Sequence, residues 1–319
     1  MGAHDKPCIL VSACLLGDPV RYDGGHKLDP AVAALAPWAE LVAVCPEAEA
    51  GLGVPREAMD LVGDPAGPRA MTAGTGRDRT KELAAVFRGQ AADLAALEPD
   101  AAILKARSPS CAVESARVYP QRPRQGDPAP GRGMFAAELA RRAPLLPLAE
   151  ETDLHRPEPR AHLFRRVFTL RRWRAARTVA PDPEALRAFH ERERLGLLGR
   201  HPSLCRRLEE IAASACTGAA TEAWTRYEAL LREALGHAPT RGTHATALQH
   251  AASTLAEHLG RSDREDLGGS IDAYRNGEKT LTEVLAFTRS LALIAGRADL
   301  ANNPYLAPHP LEREEPGAA

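Results

Sequence analysis

Residues 8–14, CILVSAC, decide the fold, because they form an apolar run that ends in a cysteine. The run over 9–13 is too short for a helix and predicts a buried β-strand. Further runs of this kind lie at 41–44, 101–104 and 145–148. The stretches between them have helical spacing, at 30–38, 77–97 and 133–142. The alternation predicts an α/β domain over residues 1–150, with a mainly parallel sheet flanked by helices.

The second half of the chain follows a different pattern. A polar, proline-bearing segment, AEETDLHRPEPR at 149–160, marks the predicted domain boundary. Leucines then recur at three- and four-residue spacings, which predicts helices and no strand. We expect a basic linker that begins the helical region over 151–182, an all-α domain over 183–310 and a disordered tail over 311–319. Residues 114–133, rich in proline and glycine, predict a loop or hairpin outside the core.

Composition excludes several classes of protein. With 319 residues, 44% hydrophobic, 26% charged and a net charge of -1, the chain is expected to fold, into about two domains at ~150 residues each. No apolar run approaches the ~20 residues of a membrane helix. The N-terminus shows no secretion signal, so we expect a cytoplasmic protein with reduced thiols, no membrane contact and no obligate protein partner. Only five of the 41 basic residues are lysines, so arginine richness by itself is weak evidence for nucleic-acid binding.

Three of the six cysteines, Cys14, Cys45 and Cys111, follow the ends of predicted strands. The carboxyl ends of parallel strands converge at the crevice where open α/β sheets bind ligands. Three thiolates suit a soft metal centre, either zinc or iron-sulfur, and a cluster held by only three cysteines leaves one iron open. The alternative is that these cysteines are small buried hydrophobic residues.

Polar residues beside these cysteines are candidates for catalysis. Glu47, two residues after Cys45, is a possible acid or base, or else an exposed loop glutamate. Ser108 and Ser110 offer hydroxyl groups beside Cys111, or else they form a turn around Pro109.

Candidate substrate-binding residues follow the first two cysteines. The segment RYDGGHK after Cys14 supplies Arg21, Tyr22, Asp23 and Lys27, which together can orient a planar polar ligand, although Asp-Gly-Gly also forms ordinary turns. Arg56, in VPRE after the second cysteine, is assigned with them.

Three motifs in this half, CILVSACLLGDPVRYDGGHK, VCPEAEAGLGVPRE and SPSCA, resemble the N-terminal domain of the thiouracil desulfidase family. The resemblance implies a 4Fe-4S cluster held by Cys14, Cys45 and Cys111. It also implies catalytic roles for Glu47 and for Ser108 or Ser110, in a non-redox reaction in which water replaces sulfur. The family usually has glycine after the third cysteine, where this chain has Ala112. If that position requires a positive φ, alanine costs roughly 1 kcal/mol or more.

The second half, with FHERERLGLLGRHPSL, GTHATALQHAASTLAEHL, DAYRNGE and NPYLAPHP, resembles a helical domain often fused to the first. The resemblance implies RNA binding by this domain and removal of sulfur from 4-thiouridine in tRNA. One alternative is a desulfidase that acts on free thiouracil or thionucleosides. An alternative of another class is an iron-sulfur sensor whose helical domain binds nucleic acid.

Basic residues with interleaved aromatic side chains mark a candidate RNA-binding stripe. No acidic residue occurs between 160 and 180, and Phe168 and Trp173 lie among the arginines, where they could stack on unpaired bases. The residues predicted to contact RNA are Arg165, Arg166, Arg171, Arg172 and Arg174, with Arg241 in a second basic cluster. The alternative is a solvated helix face that reflects the arginine bias of the whole chain.

Overall fold

The computed structural model describes residues 6–122, 124–177, 182–215 and 220–313. It divides into two compact units, Met1–Pro159 and Arg160–Ala319. The first unit is an α/β domain and the second is helical, which confirms the predicted fold class.

The first unit contains eight described strands in two sheets. They are β1 (Cys8–Ser12), β2 (Glu40–Val44), β3 (Met59–Val62), β4 (Arg69–Thr72), β5 (Ala101–Leu104), β6 (Ala116–Tyr119), β7 (Ala129–Gly131) and β8 (Leu148–Glu150). The first sheet has the order β2-β1-β5-β8 and all of its pairs are parallel. Its central strand is apolar and fully buried at Ile9, Leu10 and Val11, as expected for a strand covered on both faces.

Three of the four predicted strands coincide with strands of this sheet. The fourth, predicted over 145–148, is displaced, because β8 covers Leu148–Glu150. Pro144 and Pro147 flank the two leucines of the predicted run, and proline has no N–H to donate to a sheet. Leu146 is nevertheless buried, so its hydrophobicity reflects packing of the turn before the strand.

The second sheet, of order β4-β3-β6-β7, was not predicted. β3 pairs antiparallel with β4 and parallel with β6, and β6 forms a hairpin with β7. The prediction that residues 114–133 lie outside the core is therefore wrong for β6, where Ala116 and Val118 are fully buried. The alternating side chains of this short strand divide between the core and the opposite face.

Five described helices accompany the sheets of the first unit. They are α1 (Pro30–Ala33), α2 (Pro46–Glu49), α3 (Thr80–Ala96), α4 (Met134–Arg142) and α5 (Glu151–Leu154). The long helices α3 and α4 pack through an edge-to-face contact between Phe87 and Phe135, whose ring centroids are 6.0 Å apart. The helix predicted over 30–38 ends at Ala33, since the residue before Pro37 is disfavoured in a helix.

The helical unit is built around buried leucines and one aromatic cluster. Its helices are α6 (Pro157–Arg177), α7 (Pro183–Arg200), α8 (Pro202–Ser214), α9 (Ala220–Gly236), α10 (Arg241–Leu255), α11 (Arg261–Asn276), α12 (Leu281–Ile294) and α13 (Ala298–Ala301). Trp173 is fully buried and stacks on Tyr227 with a centroid distance of 5.4 Å. None of the described helices has the combination of length and apolar character needed to cross a membrane.

The observed helices can be compared with the predicted organisation of this half. The segment over 151–182, predicted as a basic linker that begins the helical region, contains α6, whose seven buried side chains include Phe164 and Leu170. The tail predicted as disordered begins with a 3-10 turn, Pro310–Glu312, in which Leu311 and Glu312 are buried. Residues 314–319 of that tail lie outside the described residues.

Candidate active site

A cavity of about 440 Å³ lies at the carboxyl ends of the first sheet, where β1, β2 and β5 end. Cys14, Cys45 and Cys111 all line it. Each thiol follows one of these three strands, so the parallel order of the sheet brings together residues that are far apart in sequence.

Local turns hold the first two cysteines in place. After β1 the chain enters a 3-10 turn, Ala13–Leu16, that contains Cys14 and ends at Gly17 in the left-handed conformation, φ 101°. The Lys27 N–H donates to the Cys14 carbonyl at 2.8 Å. Cys45 precedes α2, and its N–H donates to Glu49 Oε1 at 2.9 Å.

The loop that carries Cys111 is fixed by the start of α4. Ser108 Oγ accepts the N–H groups of Ser110 and Cys111 at 3.2 and 3.0 Å. The first N–H groups of α4, which have no partner within their own helix, donate to the carbonyls of Pro109 and Ser110. A Cβ atom at Gly133 would lie only 2.5 Å from the Ser110 carbonyl, so the close approach of these backbones requires glycine.

Ala112 follows Cys111 without backbone strain. Among the described residues, only Glu98 and Arg107 combine a side chain with a positive φ. The conditional cost of alanine at this position therefore does not arise here. Ala112 is fully buried, and its carbonyl accepts the Gly133 N–H at 2.8 Å.

Glu47 lines the cavity and is held from two sides. Its Oε1 accepts the Ser110 hydroxyl at 2.8 Å, and its Oε2 accepts Arg56 Nε at 2.8 Å. Arg56 also donates to the Val20 carbonyl at 2.9 Å, so its guanidinium group is itself fixed. A charge-assisted pair of this kind orients a carboxylate strongly.

The two candidate serines occupy different positions. Ser108 lines the cavity, while its oxygen caps the loop by accepting two backbone N–H groups. Ser110 is 1% exposed, is not among the cavity-lining residues, and is hydrogen-bonded to Glu47. Ser110 therefore acts on the cavity through Glu47.

Burial dominates the acidity of the three thiols. It raises the pKa of Cys14 to about 11, against the opposing charge of Arg21, and it raises the pKa of Cys45 against Arg56. The pKa of Cys111 is also raised, first by burial and then by Glu47. The thiols also act on one another, since the charge of Cys45 raises the pKa of Cys14 and the charge of Cys14 raises the pKa of Cys111. Bare thiols here are therefore protonated at neutral pH, and a cationic centre is needed to hold them as thiolates.

The donor set and its surroundings fit an iron-sulfur cluster. Among the residues that the structure describes, no three His, Cys, Asp or Glu side chains are arranged to hold a single metal ion. A cluster makes a different demand, because each thiolate binds its own iron. The positive charges of Arg21 and Lys105 both act on Cys14, which suits an anionic group in the cavity, and Arg21 Nε also lies 3.5 Å from Asp23 Oδ1.

Most of the predicted substrate-binding residues lie at this cavity. Arg21, Tyr22, Lys27 and Arg56 line it. Asp23 is not among the lining residues and forms a turn instead, since its Oδ1 accepts the Gly25 N–H at 3.1 Å. The prediction of a ligand contact by Asp23 is therefore replaced by the turn alternative.

The second sheet forms a wall of the cavity that was not predicted from the sequence. Asp60, Arg117, Tyr119 and Arg124 line the cavity from β3, β6 and the hairpin that follows. Arg124 pairs with Asp60 at 2.6 Å, and its guanidinium group lies 5.3 Å from the centre of the Tyr119 ring. The alternation of small and large residues in ARVY, 116–119, was the available signal.

The predicted RNA stripe on α6 is only partly available to a ligand. Trp173 is buried in the core, and Phe168 packs against the His309 ring at 4.4 Å, so the expected stacking by Trp173 on RNA bases is wrong. Arg172 is paired with Glu193, and Arg166 is largely buried, with an Nε that has no hydrogen-bond partner among the described residues.

The other predicted RNA contacts are also engaged within the domain or partly covered. Arg241 donates to the Tyr274 carbonyl at 2.7 Å and lies over its ring. Arg165, Arg171 and Arg174 are half-buried on α6.

Comparison with known proteins places the α/β domain in a family. Residues 9–151 match the model of the 2-thiouracil desulfurase family, and the chain belongs to this family through that domain. Residues 194–310 match a family described as a protein of unknown function, DUF1722.

Individual relatives match part of this chain. The uncharacterized protein YbbK of Bacillus subtilis (strain 168) is 33% identical over 111 residues, which are 32% of this chain and 72% of YbbK. A solved structure of a 4Fe-4S-dependent thiouracil desulfidase, TudS, is 34% identical and covers 47% of this chain and 94% of its own, with a TM-score of 0.40.

Proposed function

We propose that this protein is an iron-sulfur-dependent desulfidase that removes the sulfur of 4-thiouridine in tRNA and gives uridine and hydrogen sulfide. One observation carries the proposal: three separated cysteines and an oriented glutamate, Glu47, line the same cavity. Membership of the 2-thiouracil desulfurase family supports the reaction class.

Cys14, Cys45 and Cys111 are the residues that would hold the cluster. When bound, a 4Fe-4S cluster with three protein ligands supplies a soft Lewis acid at its fourth iron, which suits a thiocarbonyl sulfur. The positive charges of Arg21 and Lys105 lower the pKa of Cys14, and that of Arg56 lowers the pKa of Cys45. These cations therefore offset the negative charge of the thiolates.

Glu47 is the general base of this proposal. Its carboxylate faces the cavity and accepts a proton from the water that attacks the carbon bearing sulfur. Ser110 and Arg56 are positioning residues, because each holds one oxygen of that carboxylate. Ser108 presents a hydroxyl to the same cavity and can donate to the heterocycle as charge develops.

The reaction balances without an electron donor. The water oxygen ends on the ring carbon, the carbon-sulfur bond breaks, and sulfur leaves as hydrogen sulfide with both water protons. Carbon changes from C=S to C=O, and neither carbon nor sulfur changes oxidation state. Placement of the water and the base lowers the activation barrier most where the cavity holds both of them rigidly.

Transfer RNA is proposed as the substrate on two grounds. The cavity opens among exposed cations, including Lys27, Arg107 and Arg117, which suit a polyanion. The chain also continues into a domain that matches DUF1722, a family of unknown function, and the motifs of this domain resemble the helical domain fused to desulfidases that act on tRNA. Free thiouracil is the second candidate, favoured by the description of the matching family model.

The decisive experiment is anaerobic sulfide release by the reconstituted full chain from tRNA that contains 4-thiouridine. Cys14→Ala, Cys45→Ala and Cys111→Ala should each abolish sulfide release and lower iron content. Cys205→Ala is the matched control, because Cys205 is a buried thiol of the helical unit that donates to the Arg194 carbonyl. Full activity in any of the three cavity variants would overturn the site, and turnover of thiouracil but not tRNA would select the second candidate.

A further inference from the structure

A small pocket of about 40 Å³ lies within the helical unit, and we call it the helical pocket. Its walls come from α6, α7, α10 and α12 and from the segment that leads to the last 3-10 turn. This volume holds roughly three water molecules, which is the size of a tetrahedral oxyanion and too small for a nucleotide. The helical pocket can therefore enclose only a small ligand.

The lining of the helical pocket carries more positive than negative groups. It contains four arginines and two glutamates, which are Arg165, Arg172, Arg192, Arg200, Glu193 and Glu312. Arg172 and Glu193 form an ion pair with each other, so their charges offset one another. Three arginines and one carboxyl group are left to set the charge of the pocket.

Glu312 supplies only part of the missing negative charge. Burial raises the pKa of its carboxyl group to about 7, although the positive charges of Arg172 and Arg165 oppose this shift. A group with this pKa is protonated in about half of the molecules at neutral pH. The helical pocket therefore keeps an excess of positive charge.

Arg200 is the buried cation of this lining, with an exposed fraction of 5%. Its Nη1 donates to His162 Nδ1 at 3.1 Å and to the His237 carbonyl at 3.3 Å. Among the residues that the structure describes, no carboxylate forms an ion pair with Arg200, and no acceptor meets its Nε or Nη2. A buried guanidinium group without a counter-ion destabilises a fold strongly.

Neighbouring positive charges increase the need for a counter-ion. Burial, together with the charges of Arg166 and Arg165, lowers the pKa of Arg200 to about 9, so the group is still cationic at neutral pH. Arg166 has a buried Nε without a hydrogen-bond partner among the described residues. These arginines therefore raise the electrostatic potential around Arg200.

The histidines beside Arg200 do not change this balance. Burial and nearby arginines lower the pKa of both His162 and His244 to about 3, so both rings are neutral at pH 7. His244 lines the helical pocket and forms a hydrogen bond of 2.8 Å with the Tyr305 hydroxyl. The histidines offer polar atoms to a ligand and supply no negative charge.

We propose that the helical pocket binds an inorganic oxyanion of the phosphate or sulfate type, held by Arg200 inside and by the exposed Arg192 at its edge. The planar fork of arginine binds two oxygens of such an ion at once. The ion supplies the counter-charge that Arg200 lacks, and it stabilises the helical unit because it binds the folded chain alone. This site is independent of the proposed desulfidase reaction.

The test is calorimetric titration of the full chain with inorganic phosphate in chloride buffer at constant ionic strength. The unmodified protein should bind phosphate saturably with a Kd below about 1 mM. Arg200→Lys keeps the charge but loses the fork, so it should weaken binding about tenfold or more. Arg192→Gln should weaken binding about threefold, because Arg192 is exposed to solvent.

Arg206→Gln is the matched control for these substitutions. Arg206 is an exposed arginine of α8 in the same unit and does not line the helical pocket, so its loss should leave phosphate affinity unchanged. If Arg200→Lys fails to fold by circular dichroism, Arg192→Gln decides the test on its own.

Thermal unfolding provides a second readout of the same site. Trp173 and Trp224 lie in the helical unit, so tryptophan fluorescence reports its unfolding. Phosphate should raise the unfolding temperature of the unmodified protein and of Arg206→Gln more than chloride does at equal ionic strength. The same addition should have a smaller effect on Arg192→Gln and on Arg200→Lys.

Three outcomes would overturn the oxyanion site. The first is the absence of saturable phosphate binding by the unmodified protein. The second is equal phosphate affinity in Arg192→Gln and Arg206→Gln, because the ion would then bind elsewhere. The third is displacement of phosphate by a short oligoribonucleotide, which would assign these arginines to an RNA backbone instead of a free ion. Sulfide release is not part of this test, so its outcome leaves the proposed function unaffected.

Discussion

Replacing Gly133 by alanine is expected to displace the loop that carries Cys111. Gly133 has φ -66° and ψ 149°, which alanine adopts freely, so the effect is purely steric. The new Cβ would lie 2.5 Å from the Ser110 carbonyl carbon and oxygen and 2.9 Å from the Cys111 nitrogen. Reaching ordinary van der Waals contact requires the backbones to separate by about 0.9 Å, and close-packed interiors resist such a shift.

The size of the effect follows from this displacement. Overpacking of this kind costs about 1–3 kcal/mol of unfolding free energy. Because Ser110 holds Glu47, a shift of roughly 1 Å in the loop also moves the base and is expected to lower kcat about a hundredfold. The measurements are urea unfolding, iron content after reconstitution and anaerobic sulfide release.

Gly89→Ala serves as the control for the glycine substitution. Gly89 lies within α3, and a Cβ there would meet nothing within 4 Å, so the variant should gain up to about 1 kcal/mol of stability and keep its activity. Wild-type kcat and iron content in Gly133→Ala would refute the reasoning that this glycine sets the position of the cysteine loop.

Three further predictions concern other parts of the chain. Ser110→Ala should lower kcat about tenfold or more, because one oxygen of Glu47 loses its hydrogen bond, with a shifted pH profile and little change in iron content. Ser108→Ala should instead reduce iron content, because the Cys111 loop loses its cap. An unchanged pH profile in Ser110→Ala would count against its positioning role. Ala112→Gly should leave sulfide release within about twofold and cost about 0.5–1 kcal/mol of stability, since Ala112 has no positive φ, and a large gain in activity would contradict this account. Burial lowers the pKa of His244 to about 3, so the unfolded chain binds a proton before the folded chain does, and the stability of the helical domain is lost as pH falls below about 6.5. In His244→Gln the unfolding free energy should therefore fall about 1.4 kcal/mol less per pH unit below about pH 6.5, measured by tryptophan fluorescence. Identical slopes in the variant and the unmodified protein would disprove this role of His244.

Sequence patterns predicted the parallel sheet because its strands are continuous apolar runs. Ile9, Leu10 and Val11 are buried on both faces of the sheet, which leaves an unmistakable signal in a single sequence. The second sheet left a weaker signal, since β6 has only four residues and adjoins a segment rich in proline and glycine. Its long-range pairing with β3 is set by tertiary packing, which local propensity does not report.

Only some residues of the candidate site could be predicted from the sequence. The positions of Cys14, Cys45 and Cys111 followed from the rule that strand ends converge, so their meeting at one cavity was predictable. The choice between Ser108 and Ser110 was not, because it depends on which hydroxyl reaches Glu47 across 63 positions of sequence. Asp23 was assigned to substrate binding because its carboxylate suits a ligand site, whereas in the structure that carboxylate accepts a hydrogen bond within a local turn.

The arginines of α6 show the limit of reading charge from composition. Arg172 pairs with Glu193, a partner 21 residues further along the chain that no inspection of 160–180 reveals. Trp173 belongs to a cluster with Phe189 and Tyr227, so its aromatic character reflects core packing. In contrast, the exposed cations at the cavity come from scattered positions that form no stripe in the sequence.

The spacing of the three thiols also sets an order of events during synthesis. A growing chain cannot complete the cavity until Cys111 and the α4 segment that pins its loop have left the ribosome. Most of the helical unit, which begins at Arg160, is then still to be translated. If the cavity holds the proposed cluster, iron can therefore be delivered before synthesis of the second half of the polypeptide is complete.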